Sequence, residues 1–547
     1  MSSSPSQLLA LLRFISEDEP LVAFVVGELF NMRRSVLFLL ILGIAIRIPD
    51  LPRPVNEGHR NAQTATLTAG MLENGQLRFD PIAPWRGDVD ARLVQELPVY
   101  NLAVVLVDTL PGVSLDMAGR ITSLIFWILS FIALQALWRR TLPPKAVFWA
   151  NVLFIFSPMN WYLSTAFMPE SLLQLLAICF MVCILKYARQ STWSALAGLF
   201  LTALLGLLIK FPSFVHLGLF AGLVLIDQQG WKSLFRPALI FAGLFIALCL
   251  FGWGEYLKEV NKAYFADWAG WANVIGFIRP DASRLSLGYW LPLAGYNVAF
   301  IVAATAIPFT VLGLYAILRR VRRSFLSRLW IYLLLSIFTS WLIWGKGAPA
   351  QNYYNLPNLV FFSAAFGTGV AFCKGYLMRR RFPQHALGWS ATALAVSIAL
   401  LGLVGHSYLS RPDRVTIKVA DWVAANLPPE ASVAYQPQHA ASVMDYQHQP
   451  LLSHLTGRRT WILVRTTSPH EVEHALSRST CLIVSHPEGT PSTLESLRRR
   501  FKGPPPSIPP SLLTEDNTPF RVVEQNAHFT AALSRGDLRD QKKTSSN

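Results

Sequence analysis

The sequence predicts a polytopic α-helical membrane protein with about eleven transmembrane helices and a small external α/β domain at its C-terminal end. The first reason is composition: hydrophobic residues make up 52% of the 547 residues and charged residues only 15%, and the mean hydropathy is +0.38. A water-soluble globular protein does not have this composition. The second reason is that apolar runs of about 20 residues, the length that crosses a bilayer, recur from Ser35 to about Tyr408.

Eleven apolar runs are predicted as spans, with approximate bounds 35–49, 118–138, 146–163, 170–186, 193–209, 213–227, 237–255, 292–318, 329–345, 356–374 and 386–405. Basic clusters such as Arg139-Arg140 and Arg319-Arg320 lie at alternate ends of these runs. Because Lys and Arg concentrate on the cytoplasmic side of membrane proteins, segment 1–34 is predicted to be cytoplasmic. The odd number of spans then places the chain after about residue 408 outside.

The longest connection between predicted spans is an acidic external loop, 50–117, which belongs to the transmembrane unit 35–408. Within it, Leu97 to Leu110 is apolar but too short for an unaided crossing, and it ends in Pro111-Gly112. We expect this stretch to form an interfacial or re-entrant helix on the outer side.

The C-terminal segment, 409–547, has the pattern of an α/β domain. Residues 419–435 read as a helix, a turn and a strand, and TWILV (460–464) and TCLIVSH (480–486) read as buried strands. The proline-rich stretch 503–513 is predicted to be a linker or surface loop, and 535–547 a disordered end.

The net charge of +16 is explained by basic residues at cytoplasmic helix ends, where they suit anionic lipid headgroups. Nucleic acid is excluded as a partner, because the charge is divided among short loops instead of forming one basic surface. The five cysteines do not support a disulfide framework, and no Cys/His spacing resembles a zinc site. The sequence therefore predicts no metal site and no cofactor, and leaves dependence on a divalent ion open.

Several cations break the positive-inside pattern, because the predicted topology places them on the outer side near span ends. They are Arg47, Arg53, Arg60, Lys210 and Lys346. Such a group indicates an anionic ligand. The alternatives are that Lys210 extends to lipid headgroups from a helix end and that Lys346, between two glycines, is an ordinary loop residue.

Two carboxylates lie on the same predicted side. Glu57 is close to His59 and Arg60 in the first external loop, and Glu170 follows a proline where the fourth span begins. Glu170 could simply satisfy the free amides of a helix N-terminus. Glu57 could be one more solvated loop charge, since the same loop contains Asp80, Asp88, Asp90 and Glu96.

The order of segments resembles that of a known family. After the first span and the acidic loop come ELPVYN, GRITSLIF, SPMNWYLSTAFMPE, IKFP and QNYYNLP. This arrangement, over about 35–375, resembles the bacterial membrane glycosyltransferases of the GT-C superfamily. That group, which includes family 39-like enzymes, contains the protein O-mannosyltransferases and the lipid A aminoarabinose transferase.

The resemblance implies an enzyme of the bacterial inner membrane. It would take a sugar from a polyprenyl-phosphate carrier and pass it to a glycan, lipid or protein acceptor at the outer face. The family typically has an Asp-Glu pair in the first external loop, which this chain gives as Asn56-Glu57, and a related acidic position reads Gln63 in RNAQT. The resemblance therefore implies that Glu57 is the catalytic acidic residue, and Glu170, at the start of the fourth span, is the second candidate catalytic residue.

The chemistry of this reaction requires the same residue types. Transfer from a phosphate carrier needs a general base for the acceptor hydroxyl and cations for the leaving phosphate. A carboxylate suits the base, Arg binds phosphate through a planar fork, and Lys acts as a point charge. The candidate phosphate- or donor-binding residues are His59, Arg60, Lys210, Lys346, Tyr353 and Tyr354. The two tyrosines could instead belong to an interfacial aromatic belt.

Two other classes of function fit parts of the pattern. A transporter or flippase of a lipid-linked or anionic solute also places charges near spans, but its site lies near the bilayer midplane in broken helices. A receptor or scaffold acting through the C-terminal domain leaves the outer cations unexplained. The depth of the charges distinguishes a transferase from a transporter.

Overall fold

The computed structural model describes residues 32–56, 59–71, 77–85, 87, 92–261, 286–344, 352–436, 450–463, 469–485, 520–525 and 529–534. Its membrane part is a helical bundle. The helices are α1 Arg34–Ala45, α2 His59–Met71, α3 Val99–Asp108, α4 Leu115–Thr141, α5 Pro144–Phe156, α6 Pro158–Leu163, α7 Glu170–Gln190, α8 Trp193–Phe214, α9 His216–Gln229, α10 Pro237–Val260, α11 Leu287–Tyr296, α12 Ile307–Leu318, α13 Phe325–Trp344, α14 Leu359–Arg379 and α15 Gln384–Leu409.

The predicted fold class, a polytopic helical membrane protein with a small α/β domain, is confirmed. Within the described ranges, seven helices are long and apolar enough to cross a membrane, and eight if a bent pair counts as one span. The predicted number of about eleven is not established, because three of the predicted spans correspond to shorter helices: α1 has 12 residues, α9 has 14, and α5 is a shorter apolar helix. Helix α3 lies within the stretch predicted to be interfacial or re-entrant.

Two predicted spans are not single straight helices. The run 146–163 divides into α5 and α6 at Ser157-Pro158, because proline lacks the N–H that would continue the helix. The run 292–318 bends by 92°. At the bend Ala303 has a φ of 59°, in the left-handed region that side chains other than glycine rarely adopt.

Small residues bring α12 and α14 into close contact. A Cβ on Gly313 of α12 would lie 1.7 Å from the carbonyl oxygen of Ala365 in α14, and one on Gly369 would lie 1.8 Å from that of Phe309. Only glycine permits this approach, which is a common device for packing helices inside a membrane.

Arg47 is fully buried just after α1, and all three nitrogens of its guanidinium already donate hydrogen bonds. Its guanidinium donates to Ser164 Oγ and to the carbonyls of Gly43 (2.9 Å) and Ile155 (3.0 Å), and it packs 3.9 Å above the ring of Trp127. Of the outer cations, this one therefore fastens helices together, because its donors already have protein partners.

The C-terminal part contains α16 Arg414–Asn426, β1 Val433–Gln436, α17 Leu451–Thr456, β2 Thr460–Ile462, α18 Pro469–Arg478, β3 Cys481–Ser485, β4 Phe520–Gln525 and β5 Phe529–Ser534. The sheet order is β2-β1-β3-β5-β4. Strand β1 pairs in parallel with β2 and β3, and β5 pairs antiparallel with β3 and β4. The first three strands match the sequence prediction, whereas β4 and β5 were not predicted. Stretches 503–513 and 535–547 lie outside the described residues.

The first long loop packs against this α/β domain. Thr460 N–H donates to the Pro84 carbonyl (2.9 Å), and Gly87 N–H donates to the Thr460 carbonyl (2.8 Å). The ring of Trp461 covers Gly87, whose φ of +68° and lack of a Cβ allow the contact. The loop and the domain consequently share one end of the helical bundle.

Candidate functional site

A break in α8 organises the site. Lys210 has φ −155° and ψ 84° inside the helix, two residues before Pro212. Proline cannot donate to the carbonyl four residues earlier, and that carbonyl, on Leu208, instead accepts from Leu97 N–H at 3.1 Å. The break thus fastens the loop segment that contains Glu96 to the end of α8.

Lys210 lies between two carboxylates. Its Nζ forms an ion pair with Glu170 Oε1 and lies 3.4 Å from Glu96 Oε1. The Lys210 side chain is 5% exposed and the Glu170 side chain 2%. Lys210 is therefore an interior residue and does not extend to a lipid headgroup.

Arg60 approaches the same group from the first turn of α2. Its guanidinium pairs with Glu96 Oε1 through one terminal nitrogen. The other terminal nitrogen donates to Gln63 Oε1 at 2.7 Å and to Gln95 Oε1. Glu96 is consequently shared by two cations from separate elements.

Two aromatic rings complete the group. The Lys210 ammonium lies 4.5 Å from the ring centroid of Tyr353 and 5.4 Å from that of Tyr354. Both tyrosines belong to the 3₁₀ helix Asn352–Asn358 and meet edge to face, with centroids 4.9 Å apart. Ring faces attract a cation, so the tyrosines hold the ammonium in place.

The charges of the site balance: two cations face two carboxylates. Burial raises the pKa of Glu96, but the charges of Arg60 and Lys210 outweigh it and the pKa lies below its ordinary value. Burial lowers the pKa of Arg60, but the Glu96 carboxylate outweighs it and the pKa lies above its ordinary value. Both groups are ionised at neutral pH.

A cleft opens beside this cluster, between α2 and the segment before α3. Its wall combines charged, amide, hydroxyl and apolar side chains. The lining residues are Arg60, Gln63, Thr64, Leu67, Met71, Phe79, Pro81, Leu93, Val94, Gln95, Glu96, Pro98 and Asn101. Such a mixture suits a ligand with both hydroxyl groups and apolar faces.

Solved structures share this architecture. ArnT from Cupriavidus metallidurans, bound to undecaprenyl phosphate, superposes with a TM-score of 0.61 at 13% identity, covering 91% of this chain and 97% of that one. Its apo state gives a TM-score of 0.58 at 13% identity, covering 92% and 98%. The chain has the GT-C fold.

A more distant example of the fold is the archaeal oligosaccharyltransferase AglB from Archaeoglobus fulgidus, in complex with an inhibitory peptide and a dolichol-phosphate. Its TM-score is 0.53 at 12% identity, covering 83% of this chain and 69% of that one. No protein-family model matches the sequence, and no curated protein matches it. The resemblance noted in the sequence is thus established at the level of the GT-C fold.

Within this GT-C fold, five of the eight candidate site residues come together. Arg60, Glu170, Lys210, Tyr353 and Tyr354 form one group. Glu57 and Lys346 lie outside the described residues, as does the side chain of His59, the first residue of α2.

The backbone just before Glu57 is firmly held. Arg120 of α4 donates to the carbonyls of Arg53 (2.9 Å) and Pro54 (3.0 Å). Asp116 Oδ2 accepts from Val55 N–H at 2.8 Å. The Asn56 carbonyl accepts from Asp413 N–H at 2.9 Å. Four contacts therefore fix the segment that leads to the predicted base.

Glu96 and Gln95 are the site residues that the sequence interpretation missed. From its sequence context alone, Glu96 is one of several acids in a solvated loop. A signal was present, because Glu96 begins the ELPVYN segment on which the resemblance partly rested.

Proposed function

We propose that this chain is a membrane glycosyltransferase that moves a sugar from a polyprenyl-phosphate carrier to an acceptor at the outer face of the membrane. The observation that carries the proposal is the group of Arg60 and Lys210, paired with Glu96 and Glu170, beside a mixed polar and apolar cleft. ArnT bound to undecaprenyl phosphate and AglB with a dolichol-phosphate support the same class of carrier.

The phosphate of the donor is assigned to Arg60 and Lys210. The Nε of Arg60 is buried without a hydrogen-bond partner in the described part of the chain, and Lys210 offers an ammonium beside two aromatic rings. Charge-assisted hydrogen bonds of this kind stabilise the negative charge that grows on a leaving phosphate. Tyr353 and Tyr354 line the phosphate site in this proposal, and Lys346 and His59 remain candidates for it.

The reaction is a displacement at the anomeric carbon of the sugar. The acceptor oxygen forms a bond to that carbon while the bond to the phosphate oxygen breaks, and the phosphate leaves with the electron pair. The acceptor proton passes to a carboxylate, for which Glu57 is the proposed base. The products are the glycosylated acceptor and the polyprenyl phosphate.

The sugar is assigned to the cleft. Gln63, Thr64, Gln95 and Asn101 place amide and hydroxyl groups along it, and apolar residues such as Phe79 form the remaining wall. Neutral hydrogen-bonding groups suit sugar hydroxyls, and apolar side chains suit the faces of a pyranose ring.

The depth of the charges favours a transferase over a transporter. Glu170 is the first residue of α7, and Lys210 lies near the last residue of α8. Both therefore lie at helix ends, whereas the substrate sites of secondary transporters lie near the bilayer midplane. We infer that this end faces outward, with the α/β domain on the same external side of the bacterial inner membrane.

The direct test incubates the purified protein in lipid nanodiscs with a panel of polyprenyl-phosphate sugars and with candidate glycan, lipid and protein acceptors, and measures release of the carrier. We expect release from at least one donor, and its loss in Lys210→Met. Binding of every donor without release, together with movement of carrier across the bilayer of proteoliposomes, would support a flippase instead.

A further inference from the structure

The ammonium of Lys210 is occupied before any donor arrives. Glu170 Oε1 pairs with it, and Glu96 Oε1 lies 3.4 Å away. An ammonium has three N–H donors, and the rings of Tyr353 and Tyr354 also lie against it, at 4.5 and 5.4 Å. If Lys210 binds the donor phosphate, as the proposed function states, the phosphate therefore takes a position now held by a carboxylate. A phosphate oxygen and a carboxylate oxygen are both anionic acceptors, so they compete for the same cation.

Glu170 is the carboxylate suited to leave. Glu96 also pairs with Arg60, so it keeps a cation when Lys210 changes partner. Among the described residues Glu170 pairs with Lys210 alone, and its second oxygen, Oε2, is buried without a hydrogen-bond partner there. One turn further along α7, Gln174 is also buried, and neither atom of its amide has a partner in the described part of the chain.

We propose that Glu170 is an internal substitute for the donor phosphate, exchanged for it when the donor binds. A buried carboxylate that loses its cation is costly unless it gains a hydrogen-bond donor. A polar hydrogen of the acceptor other than that of the reacting hydroxyl supplies one at Glu170. The Gln174 amide, one helical turn away and without a partner among the described residues, is available as a second donor. The inference rests on the proposed function and adds an order to it: the donor binds first and thereby opens Glu170 to the acceptor.

The exchange predicts a result that a structural ion pair would not give. Glu170→Gln removes the competing charge at nearly constant shape, so binding of undecaprenyl phosphate should become about tenfold tighter, roughly 1.4 kcal/mol. Carrier release in the same variant should fall. Glu170→Asp, which keeps the charge, should bind the lipid with nearly the wild-type affinity.

A double-mutant cycle separates the exchange from other effects. Binding of undecaprenyl phosphate is measured by titration in detergent for wild type, Glu170→Gln, Lys210→Met and the double variant, each first checked by thermal unfolding. The tightening caused by Glu170→Gln should vanish when Lys210 is Met. The double variant removes both charges together, so it leaves no unpaired buried ion and should fold.

The outcomes distinguish failure of the Glu170 exchange from failure of the phosphate site itself. If wild type binds undecaprenyl phosphate and Glu170→Gln binds it equally or more weakly, the exchange is wrong and the proposed function stands. If neither wild type nor Glu170→Gln binds it, although the variant unfolds at the same temperature as wild type, the phosphate site fails and the exchange fails with it.

Discussion

Glu96 joins Arg60 to Lys210 through a single oxygen, Oε1, which pairs with the Arg60 guanidinium and lies 3.4 Å from the Lys210 ammonium. This oxygen therefore connects three parts of the chain: the loop before α3, helix α2 and the break in α8. Since the two cations repel each other without it, Glu96 holds the phosphate site together in the unliganded protein.

Replacement of this bridge should have a pH-dependent effect on stability. The pKa of Glu96 is lowered in the folded protein, so its stabilisation is complete above the unfolded value of about 4.3 and is lost as pH falls through the folded value. We expect Glu96→Gln to unfold at a lower temperature than wild type at pH 7, and the difference to shrink below about pH 4. Thermal melts between pH 3 and 7 measure it. A difference independent of pH would mean that packing, and not charge, is responsible.

The proposed base is tested by Glu57→Gln. The amide cannot accept the acceptor proton, so carrier release should fall by about 10²-fold or more, while affinity for the donor changes little. Single-turnover release and equilibrium donor binding are the two measurements. Full activity in this variant would move the base to Glu170 or to another acid of the loop.

Arg60 should not be replaceable by lysine. Its two terminal nitrogens bond to different partners, Glu96 on one side and Gln63 and Gln95 on the other. A lysine has one nitrogen and cannot reproduce this geometry. We expect Arg60→Lys to lower carrier release by about tenfold or more, roughly the effect of losing one charged hydrogen bond. Arg53→Lys is the matched control, because Arg53 is in the same loop, 54% exposed, and pairs only with Asp50 among the contacts described.

The site was partly predictable because some of its residues break a simple rule. Lys210 and Arg60 stood out as cations on the side where cations are sparse, and Glu170 as an acid at a span end. Charge and hydropathy alone do not separate Glu96 from its acidic neighbours, because its partners come from α2 and α8 and hydropathy does not show where a loop folds back. Its place at the start of ELPVYN is the one signal that distinguishes it. Its position depends on the carbonyl that Pro212 leaves free for Leu97.

The differences between the predicted and the observed fold also depend on contacts between distant parts of the chain. The bend at Ala303 lies inside an unbroken apolar run, so composition hides it. Strand β4, FRVVEQ, contains three polar residues in six, so its sequence alone suggests a loop. In the structure it pairs with β5, whose other edge pairs with β3. Pairing between distant strands decides its structure, and local sequence does not report it.

The break in α8 provides a prediction about loop docking. In Pro212→Ala the new N–H can donate to the Leu208 carbonyl and continue the helix, in competition with Leu97 N–H. We expect faster hydrogen exchange at the Leu97 amide and slower carrier release. Pro237→Ala is the control, since Pro237 is the first residue of α10 and no carbonyl there awaits its N–H. Unchanged exchange at Leu97 would show that the loop is held by the ion pairs alone.

The α/β domain should influence the site through His454. Its Nε2 lies 3.0 Å from Asp116 Oδ1, and the other oxygen of Asp116 accepts from Val55 N–H, two residues before Glu57. We expect His454→Ala to leave Asp116 less well oriented, so hydrogen exchange at Val55 rises and kcat falls more than KM changes. His385→Ala, at an exposed histidine at the start of α15, is the control. Protection at Val55 equal to wild type, with a lower melting temperature, would mean that His454 only fastens the domain to the bundle and does not position the loop.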